Sequence, residues 1–143
     1  MKSQPVANCF AGTPKALHMW LDQRSDNNTF FPKGMRHITL GGDEIATGLI
    51  QRLFDNLAAS PDVQVRQVYG PTEGTILSSY GVLTHSNVRR LSRRRRVPID
   101  KAMPHAAMTV ATPSGNELPR GFVGEIIIWV SNIPIQFLHN TPF

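Results

Sequence analysis

Val65-Arg66-Gln67-Val68-Tyr69-Gly70-Pro71-Thr72-Glu73-Gly74-Thr75 decides how the rest of the chain is read. Val63, Val65 and Val68 supply the β-branched residues of a strand. Gly70 admits backbone geometry closed to other residues and Pro71 fixes its own φ, so the chain leaves the strand in a sharp turn. Tyr69, Thr72 and Glu73 are then presented from a loop beyond the strand's carboxyl end. In open α/β sheets that edge is where ligands bind. An aromatic face, a hydroxyl and a carboxylate suit a nucleobase, a phosphate and a metal ion. An ordinary strand-turn connection with an exposed Glu73 is the plain alternative.

Upstream, the hydrophobic period changes. Met35 to Leu40 reads as a strand that ends at Gly41-Gly42. After Asp43-Glu44, the residues Ile45, Leu49, Ile50, Leu53, Phe54 and Leu57 recur with helical spacing. The two carboxylates fall at the amino end of this helix, where the dipole favours them, and read as caps. Ser60-Pro61-Asp62 ends the helix. Residues 35–69 thus read strand, Gly-Gly turn, helix, strand: a βαβ unit with parallel strands and a right-handed crossover. The Gly41-Gly42 turn and the Tyr69–Glu73 loop are both expected at the carboxyl edge of that sheet. Earlier still, Thr13-Pro14 is an N-cap followed by proline at the first helical position, and Leu17, Trp20 and Leu21 form the stripe of a surface helix over Lys15 to Gln23. Residues 1–12 show no clear period, and Ser25 to Gly34 reads as a loop.

Downstream, Thr75 to Leu83 is strand-like. Residues 84–97 read as a solvated basic loop that holds Arg89, Arg90, Arg93, Arg94, Arg95 and Arg96. Arg89-Arg90-Leu91-Ser92 has the form of a basophilic kinase site, and the run has that of a nuclear-localisation or RNA-binding patch. Met108 to Ala111 is a short strand, Pro113–Asn116 and Pro119–Gly121 are turns, and Gly124 to Val130 is a second β segment. The apolar run of that segment implies burial on both faces. Residues 131–143 read as an irregular tail.

Composition narrows the function classes. At 143 residues, 41% of them apolar, the chain can form a real core. The net charge of +5 is local: without the six clustered arginines, nine basic residues stand against ten acidic ones. The body therefore carries no global field for nucleic acid, and no aromatic residue interleaves the arginines to stack on bases. Nucleic acid is not an expected partner. Cys9 is the single cysteine, which fits a reducing compartment. No apolar run approaches the ~20 residues of a membrane span and no secretory signal is evident, so the expected location is the cytoplasm, with no membrane partner.

Three signals come in a set order: Gly41-Gly42-Asp43 ending one strand, Tyr69-Gly70-Pro71-Thr72-Glu73 ending the next, and Gly121-Phe122-Val123-Gly124-Glu125-Ile126-Ile127-Ile128 some fifty residues on. With them the chain resembles the AMP-forming (adenylate-forming) ligase superfamily, especially adenylation domains of nonribosomal peptide synthetases, over residues 13–130. The resemblance implies an α/β fold: a partial parallel sheet with flanking helices (the βαβ unit) plus a β-rich C-terminal part, as a piece of a larger adenylation domain. It implies ATP and Mg²⁺ as cofactors and a small carboxylic or amino acid as substrate. The acid becomes an acyl-adenylate and then passes to a phosphopantetheine thiol on a peptidyl or acyl carrier domain.

Position by position, the resemblance has Tyr69 stack on adenine, with Gly70 in the same loop, and Thr72 bond a phosphate oxygen. Glu73 would bind Mg²⁺, making Thr72 and Glu73 the catalytic pair. Gln67 stands where the family usually has Asn reading the adenine edge. Gly41 and Gly42 would let the backbone approach the nucleotide. Ile38, Leu40, Val68, Ile76 and Leu77 would lie near the acyl-substrate pocket, the alternative for them being plain core strand residues.

The chain also departs from the family. A Ser/Thr/Gly-rich phosphate loop, the downstream Asp for the ribose and the lysine of the small C-terminal domain have no counterpart, and Pro98-Ile99-Asp100 replaces Pro-Ile-Gly. The expectation is a piece that does not complete adenylation alone and that exposes faces its parent buries. Two rival readings stay open: a nucleotide- or partner-binding remnant without catalysis, and a basic interaction protein acting through Arg89–Arg96.

Overall fold

The structure, a computed structural model, describes residues 8–22, 32, 34–58, 60, 62–72, 77–91 and 93–130. The chain forms two compact units: Met1–Val68 with Gly81–Ile99, and Tyr69–Tyr80 with Asp100–Phe143.

The first unit is built on three parallel strands: β1 (Cys9–Gly12), β2 (His37–Leu40) and β3 (Gln64–Tyr69, whose last residue opens the second unit). The register sets Phe10 beside Ile38, Ile38 beside Val65, and Leu40 beside Gln67. Helix α1 (Pro14–Asp22) follows β1, and α2 (Thr47–Asn56) makes the crossover from β2 to β3. The expected βαβ unit is therefore present. The start of α1 is also as read: Pro14 is its first residue, and Thr13 Oγ1 accepts the Ala16 N–H at 3.2 Å. Leu17 and Leu21 of α1, Ile38 and Leu40 of β2, Leu49, Ile50, Leu53 and Phe54 of α2, and Val65 of β3 form one core. Each such side chain contributes about 1.5–3 kcal/mol on burial.

Three expectations need correction here. First, residues 9–12 form a strand although they lack a hydrophobic period. Phe10 is the only large apolar side chain, and the extended form comes from pairing with β2. Second, Asp43 and Glu44 do not cap α2. The N-cap is Ala46, with no side-chain bond; Asp43 Oδ1 accepts the Glu44 N–H at 2.7 Å, and Glu44 pairs with Arg96. Third, residues 84–97 are not a plain loop. After β4 (Ser79–Leu83), residues His85–Arg90 form α3. Thr84 and Asn87 close a capping box, with Thr84 Oγ1 accepting from Asn87 N and Asn87 Oδ1 from Thr84 N, and Val88 is buried in the core.

In the second unit, Ser79 and Tyr80 of β4 pair antiparallel with β5 (Lys101–Ala102). Strands β6 (Ala106–Ala111) and β7 (Glu125–Val130) form an antiparallel ribbon of six residue pairs. The expected burial of β7 on both faces does not occur: Ile126 is 45% and Trp129 61% exposed. Successive side chains alternate faces, and in a two-stranded ribbon neither face of this apolar run is closed over. The anticipated tail, residues 131–143, lies outside the described residues.

Candidate functional site

The carboxyl ends of β2 and β3 hold the predicted residues of the first unit. Gly41 follows β2 directly. A Cβ at this position would lie 2.5 Å from Val68 Cγ2 and 2.8 Å from the Val68 carbonyl oxygen, so only glycine lets β2 leave the sheet past Val68. Gly42 then takes φ of +80°, in the left-handed region. One strand over, Gln67 is 3% exposed, and its Nε2 has no hydrogen-bond partner among the described residues. An unpaired buried amide of this kind costs about 1–3 kcal/mol, so Gln67 presents an unused donor in the interior.

The second unit opens with the loop itself. Tyr69, Gly70 and Pro71 are half-buried and Thr72 is exposed. The loop's base is fixed where it returns to β4. The Tyr69 carbonyl accepts the Ser78 N–H at 2.8 Å, and the Ser78 carbonyl accepts the Met103 N–H at 2.8 Å. His105 Nε2 bonds the Leu77 carbonyl at 2.9 Å. Tyr69 and Ser78 are thereby bonded to each other, and Leu77 and Ser78 are held by His105 and Met103, groups distant in sequence. Ser78, Met103 and His105 were not expected to take part. Ser78 fell inside the stretch read as strand-like, Thr75 to Leu83, and nothing in the local sequence marks His105. Glu73, the expected metal ligand, lies outside the described residues.

Four of the five expected pocket residues are among the described residues. Ile38 and Leu40 are wholly buried in the core, as their plain alternative reading had it. Val68 is half-buried against Gly41. Leu77 belongs to the second unit and is 36% exposed. Ile76 lies outside the described residues. The first unit does contain a cavity of about 280 Å³, near the C-terminal end of α2 and the start of α3. Phe54, Leu57, Val63, Leu83 and His85 line it, and the Phe54 and His85 rings lie 4.6 Å apart. None of the predicted site residues reaches it.

Electrostatic organisation in the first unit centres on Asp22. Its carboxylate bridges Arg52 Nη1 and His18 Nδ1, each at 2.6 Å, and Arg52 also donates to the Leu21 carbonyl. The Arg52 guanidinium, aided by His18, holds the Asp22 carboxyl below its ordinary range. This cluster joins α1 to α2 and contains no predicted site residue. Among the described residues no helix is long and apolar enough to cross a membrane.

Residues 6–133 match the family model described as AMP-binding enzyme. The D-alanine–D-alanyl carrier protein ligase of Streptococcus pneumoniae (strain 70585) is 29% identical over 138 residues, 96% of this chain and 25% of the ligase. A plipastatin synthase of Bacillus subtilis (strain 168) is 30% identical over 127 residues, 89% of this chain and 5% of the synthase polypeptide. Among solved structures, a nonribosomal peptide synthetase protein containing adenylation and PCP domains superposes with a TM-score of 0.71 at 23% identity. That likeness covers 89% of this chain and 24% of the other, and shows the shared fold. The chain spans about a quarter of the length of the ligase it matches.

Proposed function

Because the chain belongs to the AMP-binding enzyme family, we propose that it supplies part of the nucleotide site of an adenylate-forming domain. In a domain of the length its relatives have, a small carboxylic acid, an amino acid foremost, is joined to ATP. The acyl group is then handed to the phosphopantetheine thiol of a carrier domain. One observation carries the reading. Strand β3 runs out of a parallel sheet into Tyr69-Gly70-Pro71-Thr72, and the Tyr69 carbonyl is bonded to Ser78. An aromatic ring and a hydroxyl thus sit on a loop with a fixed base, at the sheet edge where α/β proteins take ligands.

The residues fit the group. The Tyr69 ring gives adenine a stacking face. Gln67 is the residue we assign to the adenine edge, and its Nε2, buried at the end of β3, has no partner among the described residues. The Thr72 hydroxyl, exposed, donates to a phosphate oxygen. Gly41 and Gly42 keep the neighbouring strand end free of side chains. Glu73 would hold Mg²⁺ together with the phosphates, since this ion binds through one or two carboxylates and substrate oxygens rather than an all-protein cage. Bound there, Mg²⁺ offsets the charge at the reacting phosphate. Two relatives support a carrier as acyl acceptor, one a carrier protein ligase and one solved with a PCP domain.

We assign nucleotide binding to this chain and the complete reaction to the longer domain. Titration with ATP and Mg²⁺ tests the first part. Tyr69→Ala is expected to weaken binding by about 5- to 150-fold, the equivalent of ~1–3 kcal/mol of base stacking. Absence of binding at millimolar ATP would overturn the nucleotide reading. Pyrophosphate exchange dependent on a carboxylic acid, catalysed by the purified chain, would overturn the division of labour.

A further inference from the structure

Five arginines stand exposed on one short stretch of the first unit, and the backbone beneath them is tied down. Arg89 and Arg90 occupy the last turn of α3, where the helix dipole favours cations. Arg93, Arg94 and Arg95 follow. The Arg94 carbonyl accepts from Thr47 Oγ1 at 2.8 Å and the Arg95 carbonyl from the Thr47 N–H at 3.1 Å. Val97 N donates to the Ile45 carbonyl at 2.8 Å. The turn is thus docked on the start of α2. Arg96 is matched by Glu44, whereas Arg89, Arg90, Arg93, Arg94 and Arg95 have no carboxylate partner among the described residues. With the rest of the chain near neutral, this is one concentrated positive surface on ordered backbone.

From this arrangement we infer that the surface from Arg89 to Arg95 binds the phosphate backbone of a nucleic-acid duplex without reading its sequence. Guanidinium groups bond phosphate oxygens in a planar, bidentate fork. A protein partner would need an apolar centre from which water is excluded. Here Val88 is buried, Leu91 and Val97 are half-buried, and no exposed apolar side chain lies among the described residues of the stretch. A single strand would need aromatic side chains on which to stack its bases, and residues 84–97 contain no Phe, Tyr or Trp. A duplex backbone asks only for regularly placed cations. A neutral body and a lack of stacking rings disfavour a global nucleic-acid surface, and neither bears on phosphate contacts from a local patch. The inference does not depend on the nucleotide-loop reading.

The test is fluorescence anisotropy of a labelled mixed-sequence DNA duplex of about 20 base pairs, roughly two helical turns, titrated with the full chain. Three to five phosphate contacts predict a log–log salt slope of about −2.7 to −4.5, so affinity should fall roughly 40- to 500-fold from 50 to 200 mM salt. Changing Arg89, Arg90, Arg93, Arg94 and Arg95 together to Ala should abolish binding, with circular dichroism reporting the retained fold. The same five changed to Lys should keep most of the slope. Salt-independent binding, undiminished binding by the folded alanine variant, or displacement by polyglutamate as effective as by unlabelled duplex would each overturn the inference.

Discussion

The two units treat their apolar residues in opposite ways. In the first, helices cover the sheet, and ten core side chains, from Leu17 to Val88, are at most 4% exposed. In the second, the most apolar of the described strands, Glu125–Val130, lies in a two-stranded ribbon with Ile126 and Trp129 open to solvent. Both segments have the composition of a core. What differs is the presence of a layer to pack against: α2 carries its apolar stripe to the sheet, while β6 covers one edge of β7 and neither of its faces. Hydrophobicity specifies burial only where the fold provides a second layer.

The sharpest way to break this contrast is to truncate one side chain in each unit. Leu53→Ala is expected to cost about 2–5 kcal/mol, because its neighbours cannot collapse fully into the space left by a wholly buried leucine. Ile126→Ala, on the open ribbon, should cost less than about 1 kcal/mol. Urea unfolding of both variants decides the matter, and equal losses would show that the ribbon face is packed after all.

Gly41 should come next in size. Any side chain there meets Val68 at 2.5 Å, and the obstacle includes the Val68 carbonyl, which cannot rotate away. Gly41→Ala is expected to destabilise the first unit by about 1–3 kcal/mol. Gly42→Ala acts through φ alone, since its nearest obstacle, Thr13 Cγ2, is 3.6 Å off. Shortening Val68 to Ala should therefore relieve the Gly41→Ala cost only in part, because the carbonyl stays in place. Full rescue would move the cause to the side chain.

The same contrast explains what was legible in the sequence. Periodic stripes gave away α1 and α2, and the valines before Tyr-Gly-Pro gave away β3 and the loop after it, because those elements rest on local pattern. Strand β1 had no pattern to offer: its four residues are extended because Asn8 and the strand pair with residues 36–40, a partnership across some thirty residues. The arginine run hid α3 because six like charges dominate composition, although Thr84 and Asn87, three apart, carried a capping signal. At the site, the local turn chemistry of Tyr69 to Thr72 was legible. The bonds that fix it, from Ser78, Met103 and His105, join distant parts of the chain and leave no mark in the loop's own sequence.

Thr47 gives a smaller test of how the ordered basic turn is held. Its hydroxyl donates to the Arg94 carbonyl and its N–H to the Arg95 carbonyl, but only the first bond depends on the side chain. Thr47→Ala should cost about 1 kcal/mol and raise amide exchange through residues 93–97. Unchanged exchange there would mean that the backbone bonds of residues 45–47 suffice.

The smallest expected effect is the pH dependence contributed by Asp22. Its carboxyl titrates below the ordinary value of 3.8 in the folded chain, chiefly through the bond from Arg52. A depressed folded value means that the charged form is favoured in the folded state. The stabilisation is thus fully present above the unfolded value and is lost as pH falls through the folded one. Asp22 is solvent-exposed, so screening keeps the contribution slight and salt should reduce it further. Asp22→Asn should therefore melt slightly below the parent at neutral pH and low salt, and the two curves should converge as the pH drops below about 3.8. A gap that widened on acidification would reverse the sign. The link between α1 and α2 would then rest on the remaining bond from Arg52 to the Leu21 carbonyl.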